Sequence, residues 1–123
     1  MEGNETILFV DDEDYLAEVG KEMLEDYGYR VDIETSPVEA LALFEKDPDR
    51  YDLLITDYTM PGMTGDVMVG KIHEIKPGVP VILCSGIRIT SEITENKGIS
   101  TVLLKPFDMD ILLETVRKVL DAS

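Results

Sequence analysis

Five short apolar runs separated by amphipathic stretches constrain this chain more than any other feature. Ile7-Leu8-Phe9-Val10 is unbroken and stops at four acidic residues, Asp11 to Asp14. Leu53-Leu54-Ile55-Thr56 stops at Asp57, Val81-Ile82-Leu83-Cys84 stops at Ser85-Gly86, and Thr101 to Leu104 stops at Lys105-Pro106. Only the second run, Val31 and Ile33, alternates with polar neighbours, which predicts a strand nearer a sheet edge. Runs that are apolar on both faces belong to parallel strands covered by helices on both sides. Right-handed crossovers leave few arrangements, and a barrel would want eight such units. The expected fold is α/β: a single, open, doubly wound five-stranded parallel sheet with helices on both faces.

The stretches between the runs read as helices. From Tyr15 to Tyr27 the apolar positions Leu16, Val19, Met23, Leu24 and Tyr27 recur at spacings of three and four, and Gly28 suits the helix C-terminus. Ser36-Pro37-Val38-Glu39 is a helix start: Ser36 accepts from first-turn amides, Pro37 suits the first helical position and Glu39 completes a capping box. The stripe that follows is Ala40, Leu41, Leu43 and Phe44, broken by Asp47-Pro48-Asp49. A loop from Tyr58 to Gly65 precedes a third helix over roughly Asp66 to Ile75, closed by Pro77-Gly78. A short helix is expected over Ser91 to Lys97. Asp108 caps a last helix whose inner face is predicted to be Ile111, Leu112, Val116, Val119 and Leu120.

Composition narrows the function classes. The 123 residues suit one domain over 1–123 and hold 26 acidic against 11 basic side chains, a formal charge of −15. That balance argues against direct nucleic-acid binding and against an anionic membrane surface. The 44% hydrophobic content is too high for a disordered acidic tail. A lone Cys84 excludes an internal disulfide framework and fits a reducing compartment. No apolar run approaches 18 residues and the start is polar and acidic, so a soluble, cytoplasmic domain is expected.

In an open parallel sheet, ligands bind beyond the C-terminal ends of the strands. Four of the five runs leave a polar residue there: Asp11 and Asp12, then Asp57, Ser85 and Lys105. Any single Asp after a strand is more often a turn or cap residue; the joint pattern is harder to dismiss. At about 4 Å and an effective dielectric near 20, each carboxylate pair costs on the order of 4 kcal/mol. Such a group must take up a proton or hold a cation. Oxygen-only ligands select a hard ion, and Mg²⁺ prefers one or two carboxylates plus waters and a phosphoryl oxygen. A carboxylate beside that ion can attack a phosphoryl donor. Lys105 can neutralise a phosphoryl oxygen, the Ser85 hydroxyl can donate to another, and Gly86 leaves space for the incoming group. This is the pattern of a phosphoryl-accepting site.

Phe9-Val10-Asp11-Asp12-Glu13, Asp57 through Gly65 (DYTMPGMTG), Cys84-Ser85-Gly86 and Lys105-Pro106-Phe107 together resemble the receiver domain of two-component response regulators. The resemblance covers nearly the whole chain, in the family's order and at close to its spacing. It implies a flavodoxin-like strand order 2-1-3-4-5 and Asp57 as phosphoacceptor. It further implies Mg²⁺ bound directly by Asp12 and Asp57, with Asp11 helping through water and the Thr59 backbone carbonyl as a ligand. Ser85 becomes the switch hydroxyl, Lys105 the partner of the phosphoryl group, and the Lys105–Pro106 bond cis. The implied protein is a signalling domain rather than an enzyme, assisting its own phosphorylation and slow dephosphorylation. Its implied partner is a histidine kinase or phosphotransfer protein, with a homodimer through the last strand and helix as a further expectation. Val102 departs from the pattern, because receivers often carry an aromatic three residues before the lysine. The stretch from Ser85 to Lys105 is also slightly short. The opening Glu5-Thr6-Ile7-Leu8 and Cys84-Ser85-Gly86 are similar in style to receivers of hybrid sensor kinases.

Rival readings fit less well. A phosphatase of the haloacid dehalogenase type wants a second Asp two residues after the nucleophile, where Glu13 stands. A flavodoxin-like FMN binder wants a phosphate-cradling loop after Val10, and a pseudo-receiver would not need the full acidic set with Lys105. A calcium loop starting at Asp11 lacks the central Gly and distal Glu. Glu13 and Asp14 read as first-turn acids favoured by the helix dipole. His73 reads as an exposed surface residue, Cys84 as a small buried hydrophobe, and Met60 and Met63 as packing for the loop over the site. Ile87 and Ile89 are either an exposed partner patch or tucked under the loop.

Overall fold

Successive residues of a strand face opposite sides of a sheet, and in the computed structural model that alternation builds two cores. The structure describes residues 2–89 and 98–123. Strands β1 (Thr6–Val10), β2 (Arg30–Glu34), β3 (Leu53–Asp57), β4 (Val81–Ser85) and β5 (Thr101–Leu104) form one sheet in the order β2-β1-β3-β4-β5. Every pairing is parallel. Among the described residues, helices α1 (Asp14–Asp26), α2 (Pro37–Lys46), α3 (Gly65–Ile75) and α4 (Met109–Asp121) cover it, with one 3-10 turn at Pro48–Arg50. The fold class and strand order are those expected from the sequence; the helix expected over Ser91 to Lys97 lies outside the described residues.

Every residue of β1, β3 and β4 is buried, whereas the edge strands β2 and β5 are only partly so. Ile7, Phe9, Leu53, Ile55, Ile82 and Cys84 meet Ala17 and Leu24 of α1 and Leu112, Leu113, Val116 and Val119 of α4. Leu8, Val10, Leu54, Val81 and Leu83 point the other way, to Ala40 and Phe44 of α2 and Met68, Val69 and Ile72 of α3. Each fully buried side chain of this size contributes about 1.5–3 kcal/mol.

Several face assignments need correction. The buried face of α1 is Ala17, Gly20 and Leu24, while Leu16 is 36% exposed. The reason is close packing: a Cβ at Gly20 would lie 2.9 Å from the Phe9 ring, so the helix approaches the sheet through its smallest residues. In α4 the inner face includes Leu113, and Ile111 is 44% exposed. His73 is half-buried rather than exposed, with Nε2 2.9 Å from the Val79 carbonyl oxygen. At α2, Ser36 Oγ accepts from the Glu39 N–H at 3.4 Å, as the cap predicts, while the Glu39 carboxyl interacts with Glu34. Asp108 likewise accepts from the Ile111 N–H, at 2.9 Å.

The C-terminus of α1 is closed by a Schellman turn. The Gly28 N–H donates to the Glu25 carbonyl at 3.0 Å and the Tyr29 N–H to the Leu24 carbonyl at 3.3 Å, with Leu24 and Tyr29 both in the core. Gly28 has φ +96°, and a Cβ there would strike the Gly3 carbonyl oxygen. Gly3 is held in place by its own N–H bond to the Tyr27 carbonyl, at 3.0 Å. Gly28→Ala is therefore expected to cost at least about 1–2 kcal/mol. The check is a lower urea midpoint at an unchanged slope; an unchanged midpoint contradicts it.

Arg117 of α4 ties the chain's two ends together. Its guanidinium donates to Glu5 at 2.7 and 3.2 Å, to the Tyr29 hydroxyl at 3.2 Å and to Asp121 at 3.0 Å. The hydrogen bond from Arg117 holds the Glu5 carboxyl below its ordinary value of 4.5, against the opposing effect of burial. A carboxyl whose folded pKa is depressed adds stability above its unfolded pKa and loses it as pH falls through the folded value. Arg117→Met should therefore flatten the loss of thermal stability below about pH 4.5. Parallel melting-temperature profiles for the two proteins would contradict this.

Candidate functional site

Strand register delivers the polar residues to one edge. Val10 pairs with Thr56, so Asp11 and Asp57 leave adjacent strands side by side; Ser85 pairs with Leu104, so Lys105 follows directly beyond it. The Asp11 N–H donates to the Glu34 carbonyl at 3.1 Å and the Lys105 N–H to the Ser85 carbonyl at 2.7 Å, which fixes both backbones where the strands end. The Lys105–Pro106 peptide is cis.

Asp11, Asp12 and Asp57 each offer a carboxylate oxygen within 4.8 Å of the others; Asp11 and Asp57 are buried and Asp12 is exposed. Lys105 Nζ bridges two of them, 3.1 Å from Asp57 Oδ1 and 3.3 Å from Asp11 Oδ2. Asp11 Oδ1 accepts from the Glu13 N–H at 3.0 Å, which fixes that carboxylate's orientation. Burial raises the Asp57 carboxyl above its ordinary value; Lys105 pulls it back, and Asp11 and Asp12 push it further up. Burial works to lower the Lys105 ammonium, but the hydrogen bond to Asp57 and the charge of Asp11 outweigh it, so its pKa is raised. Three carboxylates facing one ammonium leave two negative charges uncompensated, the charge of one divalent cation. The donors are all oxygen, which fits a hard ion such as Mg²⁺.

Ser85 is buried, and its Oγ accepts from the Ile87 N–H at 3.1 Å. Gly86 faces open space. Thr59 lies exposed in the loop two residues beyond Asp57. Cys84 is a buried hydrophobe as expected, its thiol pushed up to about 12 by burial. Met60 is buried in the core shared with α2 and α3 and Met63 packs partly against it, so both anchor the loop after Asp57. Ile87 is 59% exposed while Ile89 packs partly against that same core, so the two isoleucines divide the two roles open to them. The acidic rim extends to Glu34 at the end of β2, whose carboxyl is raised by burial and by Glu39. Glu34 gives no signal in the sequence because β2 alternates polar and apolar residues, and its last acid looks like one more residue of the polar face.

Residues 7–117 match the response regulator receiver domain model. The chain belongs to this family. It is 30% identical to the sensor kinase CckA of Brucella abortus over 98% of the chain, which spans 13% of that kinase. It is 31% identical to the sporulation initiation phosphotransferase F of Bacillus subtilis, over 95% of this chain and 94% of that one. The CheY-like receiver domain protein of Methanospirillum hungatei has the same fold, with a TM-score of 0.90 at 30% identity over 98% and 96% of the two chains. Receiver domains are signalling domains of two-component systems and bind Mg²⁺ at an acidic pocket. Among the described residues, no helix is long and apolar enough to cross a membrane.

Proposed function

We propose that residues 1–123 form one cytoplasmic receiver domain in which Asp57 accepts a phosphoryl group from a histidine kinase or a histidine phosphotransfer protein. An Asp57 carboxylate oxygen attacks phosphorus, the P–N bond to the donor imidazole breaks, and the departing ring takes up a proton. Asp12 and Asp57, with Asp11 through water and the Thr59 carbonyl, would hold Mg²⁺, which supplies charge neutralisation at the phosphoryl oxygens. Lys105 already sits within 3.1 Å of the accepting carboxylate, where its ammonium can pair with a new phosphoryl oxygen. The observation that carries this reading is the meeting of three carboxylates from two strands with one lysine.

A cleft of about 120 Å³ beside Asp11 and Lys105, lined in part by Leu16, Gly20, Phe107 and Met109, offers a donor protein apolar ground next to the acceptor. Phosphorylation adds charge and acceptor oxygens that would draw the Ser85 hydroxyl away from Ile87 and rearrange the loops after β3 and β4. The change would be read by an output partner or a second copy around β5 and α4, where Leu104 and Ile111 are 51% and 44% exposed. The proposed domain makes no direct contact with nucleic acid or membrane.

Incubation with acetyl phosphate and Mg²⁺, followed by intact-mass measurement, tests the proposal. One phosphoryl adduct is expected, lost when a chelator is present. No adduct under any Mg²⁺ concentration overturns it.

A further inference from the structure

Thr56 carries a hydroxyl on a strand whose every residue is buried, directly before Asp57. The residue is 0% exposed. Its Oγ1 lies 3.0 Å from the Asp57 carbonyl oxygen and 3.9 Å from Met60 Sδ, so one hydroxyl proton is shared between two acceptors. From the other side the Asp57 carbonyl oxygen packs against Gly65, where a Cβ would strike it. The Gly65 N–H donates to the Tyr58 carbonyl at 2.7 Å, and Met60 is 6% exposed. The turn from Asp57 to Met60 is thus pinned at both ends by one buried hydroxyl, and Thr59 lies between the pins.

We propose that Thr56 is a positioning residue for the divalent-cation site, fixing the Thr59 carbonyl relative to the Asp57 carboxylate. This rests on the reading above, in which those two groups help to hold Mg²⁺. Mg²⁺ demands near-ideal octahedral geometry at about 2.0–2.1 Å, whereas Ca²⁺ accepts 6–8 oxygens at about 2.3–2.6 Å. Loosening the turn should therefore weaken Mg²⁺ more than Ca²⁺. Supporting residues of this kind change metal affinity by roughly 10–100-fold.

The test is calorimetric titration of the full chain with Mg²⁺ and with Ca²⁺, for the wild type, Thr56→Val, Thr56→Ser and Met60→Leu. Thr56→Val keeps the shape and removes the hydroxyl; it should weaken Mg²⁺ by about tenfold, the low end of the range for supporting residues, with a smaller loss for Ca²⁺. Thr56→Ser restores the hydroxyl and should recover most of the Mg²⁺ affinity. Met60→Leu removes the sulfur acceptor and should shift the Mg²⁺-to-Ca²⁺ ratio in the same direction by less, and it carries the test should the valine variant fail to fold. An unchanged ratio in these variants, or equal losses for both ions, overturns the role of Thr56. A wild type indifferent to Mg²⁺ overturns the underlying reading instead.

Discussion

Asp57→Asn is expected to abolish the phosphoryl adduct with acetyl phosphate while leaving a folded protein. An amide has no anionic oxygen to attack phosphorus, so the loss should be complete within detection by intact mass. Unfolding is not the expected cause, because the site strains against the charge that Asn removes. Asp57 is 8% exposed, and burial raises its carboxyl despite the pull of Lys105. A carboxyl whose folded pKa is raised adds stability below its unfolded pKa and loses that contribution as pH rises through the folded value. In the absence of divalent cation, Asp57→Asn should therefore melt at or above the wild-type temperature at pH 7, and the gap should close on acidification through the Asp57 pKa. Mg²⁺ at 100 times its Kd should add about 2.7 kcal/mol to the wild type, a rise of several degrees, and much less to the variant. An adduct of equal yield on Asp57→Asn moves the acceptor elsewhere.

What the sequence made legible follows from where local rules decide. Unbroken four-residue runs such as Ile7–Val10 and Val81–Cys84, bounded by polar and turn residues, fit buried strands, and in a parallel sheet the residues that end them collect at one edge. Asp11, Asp12, Asp57, Ser85 and Lys105 were readable for that reason. Contacts set by fit between distant elements were not. Gly20 belongs to the buried face of α1 because the Phe9 ring stands opposite it, and no helical period announces that. Arg117 meets Glu5 across 112 positions of chain. His73 turns inward to bring Nε2 2.9 Å from the Val79 carbonyl oxygen, across the turn before β4. In the sequence Thr56 is the tail of a largely apolar run, and its hydroxyl acquires meaning only when Met60 folds back against it. Ile111 and Leu113 differ by half a turn of helix, a distinction that the sheet beneath α4 decides.

Lys105→Ala should separate metal binding from response. Removing the ammonium leaves Asp11, Asp12 and Asp57 within 4.8 Å of one another with no paired cation among the described side chains. Breaking a fully buried ion pair costs 3–5 kcal/mol; because the Lys105 side chain is 24% exposed, a loss of about 2 kcal/mol is expected without divalent cation. The Asp57 carboxyl should rise further, since Lys105 is the group that now lowers it. Mg²⁺ should then stabilise the variant by more than it stabilises the wild type, because the ion restores compensation that the lysine partly supplies. Thermal melts with and without Mg²⁺ measure this difference directly, and an equal increment in both proteins contradicts it. The variant should still take a phosphoryl group, more slowly, yet the shifts of amide resonances over Ser85–Ile89 and β5 on phosphorylation should be mostly lost. The backbone reason is local: the Lys105 N–H holds the Ser85 carbonyl, so a pull on the Lys105 side chain is transmitted to the strand end that carries the hydroxyl. A normal pattern of shifts in Lys105→Ala would remove the lysine from the switch and leave the Ser85 hydroxyl to act alone.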